Sequence, residues 1–374
     1  MNAERLHAIA LAVLEDIKTT KSQETLKQLV GALQNAVNQP NAPQFQEQIG
    51  NYRNELNTSL STAPSNDFSP VWKQAIRELG LHDILGQNLQ TKIEEIFTRN
   101  QITLSVALGD VQKLQSQLVA EKEALEKVVS SFKLMNIGAE ELQPGQCEIG
   151  VLIPRPSVDN KLLLFAKELE DFNGIFGVFA ELATGERPGF ELRSVSSTDL
   201  MVFVWASLGV ASTISLVVDR IVNTYKNILE IRILHGKLKD TGVPEKGLEG
   251  VAEYARSIME QEIEKLIKDL LKKYQKKDEP RDNELANELR INLNKIANRI
   301  DSGYNIDVRT KPFSEEEEAK KKVTPQDKAY INTILSASKS FEFIKLEGRP
   351  ILGLPESRPK RETKDDKTGD KTND

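Results

Sequence analysis

Between Asp199 and Asp219 the chain runs nineteen residues without a charge, from Leu200 to Val218. No other stretch constrains the fold as strongly, because its secondary structure decides between an aqueous and a bilayer environment. Three readings compete. Roughly 18 or more uncharged, mostly apolar residues reach the length of a membrane-spanning helix. Ser207, Gly209, Ser212, Thr213 and Ser215 weaken that reading, and no basic cluster sits against either end to set an orientation. The second reading is one long helix buried in a water-facing core.

The third reading divides the run. Asp199 to Trp205 is dense in Val, Phe and Trp, which favour a pleated strand. Phe190 to Ser196 alternates apolar and polar residues, and Ser196-Ser-Thr-Asp199 supplies turn chemistry between the two strands. From about Ser207 the period changes. Ile214, Val218, Ile221, Tyr225, Ile228 and Arg232 form a helical stripe, with Asp219, Arg220, Asn223, Lys226 and Glu230 opposite. A hairpin followed by a long amphipathic helix belongs to a water-facing fold.

Upstream, the pattern is helical. Residues 3–18 and 22–37 carry one-face apolar stripes, and so does the stretch from Phe45 to Leu60. Ser69-Pro70 reads as an N-cap followed by proline in the first turn of a helix that ends near Gly80. Leu104, Val111, Leu118, Leu125 and Phe132 recur every seven residues, and Ala107, Leu114, Val128 and Met135 take the second seam position, which Glu121 interrupts. Such a seam fits a coiled coil or a long helix inside its own bundle, covered by early helices, a second copy or another protein. A carboxylate at Glu121 disfavours parallel self-pairing, which would set two of them face to face.

The composition shifts at Ile137 to Gly145. Beyond it Cys147 to Ile153 reads as a buried strand stopped by Pro154. Asp159 is placed to cap a helix with the stripe Phe165, Leu169, Phe172, Phe176 and Phe179, which is core packing and not a ligand box. Further helices follow over residues 251–277 and along Leu285, Leu289, Leu293, Ile296 and Ile300, then a strand at Tyr304–Val308. Ser314 with Glu317 and Thr324 with Asp327 are helix caps, the second helix reaching about Ser336, and Ser340 to Lys345 alternates as a strand. The fold class that results is mostly α with a smaller α+β domain. Residues 1–136 form a helical bundle or coiled-coil region, 146–354 a short β-sheet packed on long helices, and 355–374 a disordered polar tail.

Chemistry is sparse. His7, His82 and His235 are too dispersed to share a metal, and the chain has no H-E-x-x-H, Gly-x-Gly-x-x-Gly or Walker A motif. No cofactor or metal site is expected. The lone Cys147 fits a buried thiol in a reducing cytosol, and Glu4 and Arg5 ahead of a short apolar run do not resemble a secretory leader. A net charge of −6, with basic stretches interleaved by acids, argues against dedicated nucleic-acid binding. Arg77-Glu-Leu-Gly-Leu-His82 resembles the Arg-x4-His element of HEPN-type ribonucleases, which implies a helical fold with Arg77 and His82 acting on a scissile phosphate. It departs from that family in having Glu78 after the arginine, and Gly80 interrupts the helix. The expectation is a non-catalytic cytoplasmic scaffold, adaptor or regulatory protein that contacts a protein partner through helical surfaces. A HEPN-like ribonuclease and a membrane-anchored protein spanning at Leu200–Val218 are the alternatives.

Overall fold

The computed structural model describes residues 2–100, 103–196, 200–242, 244–274, 279–321, 323–341, 346 and 349–357 of the 374-residue chain. It is 73% helical, with twelve helices and one four-stranded antiparallel sheet among the described residues. The fold class expected from periodicity is the one observed.

Six helices come first: α1 (Ala3–Thr20), α2 (Ser22–Asn38), α3 (Pro43–Ser61), α4 (Pro70–Glu78), α5 (Gly86–Arg99) and α6 (Leu104–Leu134). The Asn2 side chain caps α1 by accepting from the Arg5 amide, and Ser69 caps α4 by accepting from Trp72. The stripes interlock in one hydrophobic cluster that includes Ile9, Val13, Leu26, Leu33, Leu56, Leu89 and Leu118. The heptad seam of α6 is covered by α1 and α2 of the same chain. The seam opens to solvent towards its end, where Phe132 is half-buried and Leu134 and Met135 are exposed. A helix is expected to begin at His82, but that residue lies in a 3-10 turn and helix α5 starts four residues later. It opens on Gly86 at φ +44°, held against Asn66, in place of a Ser, Thr or Asp cap.

The second half of the chain is built from β1 (Cys147–Ile153), α7 (Leu162–Thr184), β2 (Leu192–Ser196), β3 (Leu200–Ala206), α8 (Leu208–Asp240), α9 (Glu245–Tyr274), α10 (Glu279–Asp301), β4 (Asn305–Thr310), α11 (Glu315–Lys321) and α12 (Pro325–Ser340). The sheet runs β2-β3-β1-β4. Strand alternation separates its faces. Cys147, Ile149, Val151 and Ile153 join a core with α7, α8, α9, α10 and α12. Leu152, Met201 and Phe203 turn the other way and pack on Val71 and Trp72 of α4. Gly150 belongs to this second face, where a Cβ would lie within about 3 Å of the Phe203 ring.

The uncharged run is divided between β3 and α8, so neither the single buried helix nor the membrane span describes it. Among the described residues no helix is long and apolar enough to cross a membrane. Ile214, Val218, Ile221, Tyr225, Ile228 and Arg232 are all buried, and α8 packs against the sheet and against α7, α9, α10 and α12. The Thr213 hydroxyl donates to the Gly209 carbonyl at 2.9 Å and lies 2.7 Å from the Tyr274 hydroxyl, which lets a polar residue sit inside that core.

Three local expectations need correction. Asp159 does not cap α7: it adopts a left-handed conformation at φ 47°, and the helix begins three residues later behind Lys161. The helix expected to end near Ser336 continues to Ser340, so the strand expected from Ser340 begins in helix, while residues 342–345 lie outside the described residues. The turn at 197–199 and the tail from 358 to 374 also lie outside them. Pro355 and Glu356, placed in the tail by composition, are docked on α10.

Candidate functional site

A glutamate in the middle of an apolar strand needs compensation, because an unpaired buried carboxylate costs several kcal/mol. Glu148 of β1 is 1% exposed. The sheet register sets Arg309 of β4 beside it on one side and Trp205 of β3 on the other. Arg309 donates to Oε1 through Nε at 3.0 Å and also through Nη2. Arg193 of β2, stacked 4.4 Å from the centre of the Trp205 ring, donates to Oε2. Arg5 arrives from α1 and donates from Nη2 to both oxygens, at 3.3 and 3.1 Å.

Arg5 is shared. Its Nε and Nη2 donate to Glu140 at 2.6 and 2.9 Å, and its guanidinium lies 3.5 Å over the Phe203 ring. Arg193 reaches Glu140 as well, at 3.2 Å. Burial alone would raise the Glu140 carboxyl, but the Arg5 hydrogen bonds and the charges of Arg5, Arg193 and Arg309 outweigh it and hold it below the usual range. His7 adds a further tie: its Nδ1 lies 2.9 Å from the Ile137 carbonyl, and its ring packs on Phe132. The cluster therefore joins α1, the segment before β1, and three strands.

Asp307 of β4 is buried at the same face and is the exception. Neither of its carboxylate oxygens has a hydrogen-bond partner among the described residues. Burial pushes its carboxyl up to about 6, partly offset by the Arg309 charge and the nearby Ser69 hydroxyl. A cavity of about 380 Å³ opens beside the cluster, with Leu11, Phe68, Trp72 and Ile334 as apolar walls and Glu140 and Arg309 at its charged end.

Chemically, Glu148 is a poor general base. Both of its oxygens already accept charge-assisted hydrogen bonds, and proton abstraction would require breaking them. Cys147 is buried against the Thr310 hydroxyl at 3.4 Å, and burial raises its thiol to about 11, far from thiolate reactivity at neutral pH. Among the described residues no group of three or more His, Cys, Asp or Glu side chains is placed to hold a metal ion.

Arg77 and His82 line the same cavity. Arg77 stands in the last turn of α4 and donates to Gln74 at 3.1 Å, while His82 stands in a short 3-10 turn after Gly80, which takes φ +77°. Both line a polar cavity of about 190 Å³ with Lys73, Asn66, Gln87 and Asn88. The His82 Nε2 lies 3.0 Å from Asp83, which also pairs with Lys92. The glycine that interrupts the motif puts the two residues on separate elements, not on one helix face.

None of the charge cluster was singled out by motif. The usable signal was Glu148 itself, a lone acid inside Cys147–Ile153, but its partners lie as far away as Arg5 and Arg309, and no local spacing announces them. Comparison with known family models, with curated proteins and with solved structures finds no match to this chain.

Proposed function

We infer that this protein is a non-catalytic scaffold or adaptor that engages a protein partner through helical surfaces. The observation that carries the reading is the mutual pairing of Arg5, Arg193 and Arg309 with Glu140 and Glu148 at the junction. Three arginines and two glutamates are paired with one another across five chain segments, which makes a stiff connector and leaves neither glutamate free to act as an acid or base. Surface apolar groups supply a place for contact. Leu162 and Leu163 at the start of α7 are 82% and 68% exposed, an adjacent pair that a water-facing helix does not need. The buried thiol of Cys147 is in keeping with a cytosolic setting.

The test is affinity capture with wild-type protein and a Leu162→Asp/Leu163→Asp variant whose circular dichroism is unchanged. One partner recovered in stoichiometric amount by the wild type, and at least tenfold less by the variant, is the expected result. Retention of every partner by the variant removes α7 from the proposal.

A second reading, cleavage of RNA, draws support from the cavity shared by Lys73, Arg77 and His82. Its test is RNA cleavage by the purified chain and by His82→Ala. Cleavage that vanishes in the variant would replace the scaffold reading.

A further inference from the structure

The segment after α12 is held by side chains of α9 and α10. Residues 351–356 have no helix or strand of their own; they are bonded to α9 and α10, and their apolar side chains join the core that α8 also lines. Ile351, Leu352 and Leu354 are buried. What grips them is a set of side chains aimed at main-chain atoms. Asp301 Oδ2 accepts from the amides of Ile351 and Leu352 at 2.7 and 2.8 Å. Arg256 donates to the Leu352 carbonyl. Asn298 holds Leu354 from both sides, accepting from its amide at 2.8 Å and donating to its carbonyl at 2.9 Å. Asn294, one turn earlier, donates to the Pro355 carbonyl at 2.8 Å.

Side chain–to–backbone gripping of this kind is how proteins bind peptides from outside, because every peptide carries the same amides and carbonyls. Within a fold, about two-thirds of hydrogen bonds join backbone to backbone. The grip is also built before the segment arrives. Tyr225 and Arg232 of α8 donate to Asp301 Oδ1 at 2.7 and 3.0 Å, which fixes the carboxylate and leaves Oδ2 for two amides. Side chains then set selectivity. Leu352 and Leu354 fill apolar positions on either side of Gly353, which bends the chain at φ +53° against Arg256. Glu356 accepts from Asn298 at 2.7 Å and lies 3.8 Å from Arg299.

We propose that the cleft of α8, α9 and α10 is a peptide clamp, filled in cis by residues 349–356, that accepts a partner's aliphatic-Gly-aliphatic-Pro-acid segment in their place. It rests on the adaptor reading and supplies a binding mode for it. The cis segment competes at the high effective concentration of a tethered ligand, so a free peptide enters only when the tether is cut or the partner binds elsewhere as well. The clamp residues and the Leu162–Leu163 pair are different side chains, so each can be tested alone.

The experiment uses the full chain with a specific protease site inserted between Glu347 and Gly348, folded first and cut afterwards. A fluorescent synthetic peptide of residues 349–357 is added to the cut protein and followed by anisotropy. Saturable exchange in the micromolar range is expected, with helix content by circular dichroism retained. Asn298→Ala should weaken the peptide at least tenfold, and so should replacing its glycine by valine. Loss of helix on cutting, or no entry of the peptide, would make the segment a core element and overturn the proposal. In the uncut protein, hydrogen exchange of the Ile351, Leu352 and Leu354 amides should be faster than that of the α10 amides, since the strap opens by itself. Equal rates would also overturn it. A concentration-dependent dimer that Leu352→Asp abolishes would assign the clamp to copies of this chain and overturn the partner claim.

Discussion

Asp307 and Glu140 occupy one charge cluster and respond to acid with opposite signs. The folded state raises Asp307 from 3.8 to about 6, so it prefers that residue protonated. Above pH 6 the carboxylate is ionised both folded and unfolded, and burial then destabilises the fold by up to about 3 kcal/mol. Below 3.8 it is protonated in both states and the penalty vanishes. Asp307→Asn should therefore raise the denaturation midpoint at pH 8 and leave it unchanged near pH 4. A chemical-denaturation series at the two pH values measures this. Glu140, lowered by its arginines, behaves in the ordinary way: its stabilisation is full above its unfolded value of 4.5 and is lost as pH falls through the folded value. Two carboxylates in one arginine cluster thus pull the acid limb of the stability profile in opposite directions.

Helix α6 shows what a periodic pattern reveals and what it omits. Its seam residues face α1 and α2, and the one charge in the seam, Glu121, finds only a 2.7 Å hydrogen bond from Gln117 to one oxygen. The other oxygen has no partner among the described residues, and burial raises the carboxyl. Glu121→Leu should stabilise the chain at neutral pH by on the order of 1 kcal/mol, because it removes an unsatisfied acceptor. Thermal unfolding at pH 7.5 is the measurement. The helices with a clear stripe were legible: α8 down to Arg232, whose charge continues an apolar row because Asp301 waits at its end. The start and extent of helix α5 escaped because Gly86 hides its first turn and its apolar face is short. The docked stretch at 351–354 escaped because it has no period at all. Its signature sits on the partner element, where α10 carries Asn294 and Asn298 one turn apart despite the poor helix propensity of asparagine.

At the scale of the molecule, two hydrophobic clusters are joined by polar chemistry. One draws on residues from α1 to α6, the other on β1 and the elements C-terminal to it, and between them stand Arg5, Glu140, Glu148, Arg193 and Arg309. Ion pairs between buried groups fix geometry more than they add stability, and removing one partner exposes the full desolvation penalty of the others. Glu148→Ala leaves three guanidinium groups facing an empty site. It should cost about 3 kcal/mol or more. Scanning calorimetry of this variant should resolve separate transitions for the two clusters. A single sharp transition at the wild-type temperature would mean that the apolar contacts of Val71 with Met201 and Phe203 couple the clusters without the charges.

The aromatic shelves beneath those arginines have an optical consequence. The chain contains two tryptophans, and both belong to the junction: Trp205 lies under Arg193, and Trp72 has the Arg309 guanidinium 5.4 Å from its ring centre. Intrinsic emission excited at the red edge of the protein band therefore reports one place in the molecule and is blind to the helical ends. If the junction parts before the helices melt, the emission shifts to longer wavelength at a lower denaturant concentration than the loss of ellipticity, and Glu148→Ala widens the gap. Coincident curves for the native chain would show that nothing opens there short of global unfolding. The protein carries its own spectroscopic gauge of whether its two halves are engaged.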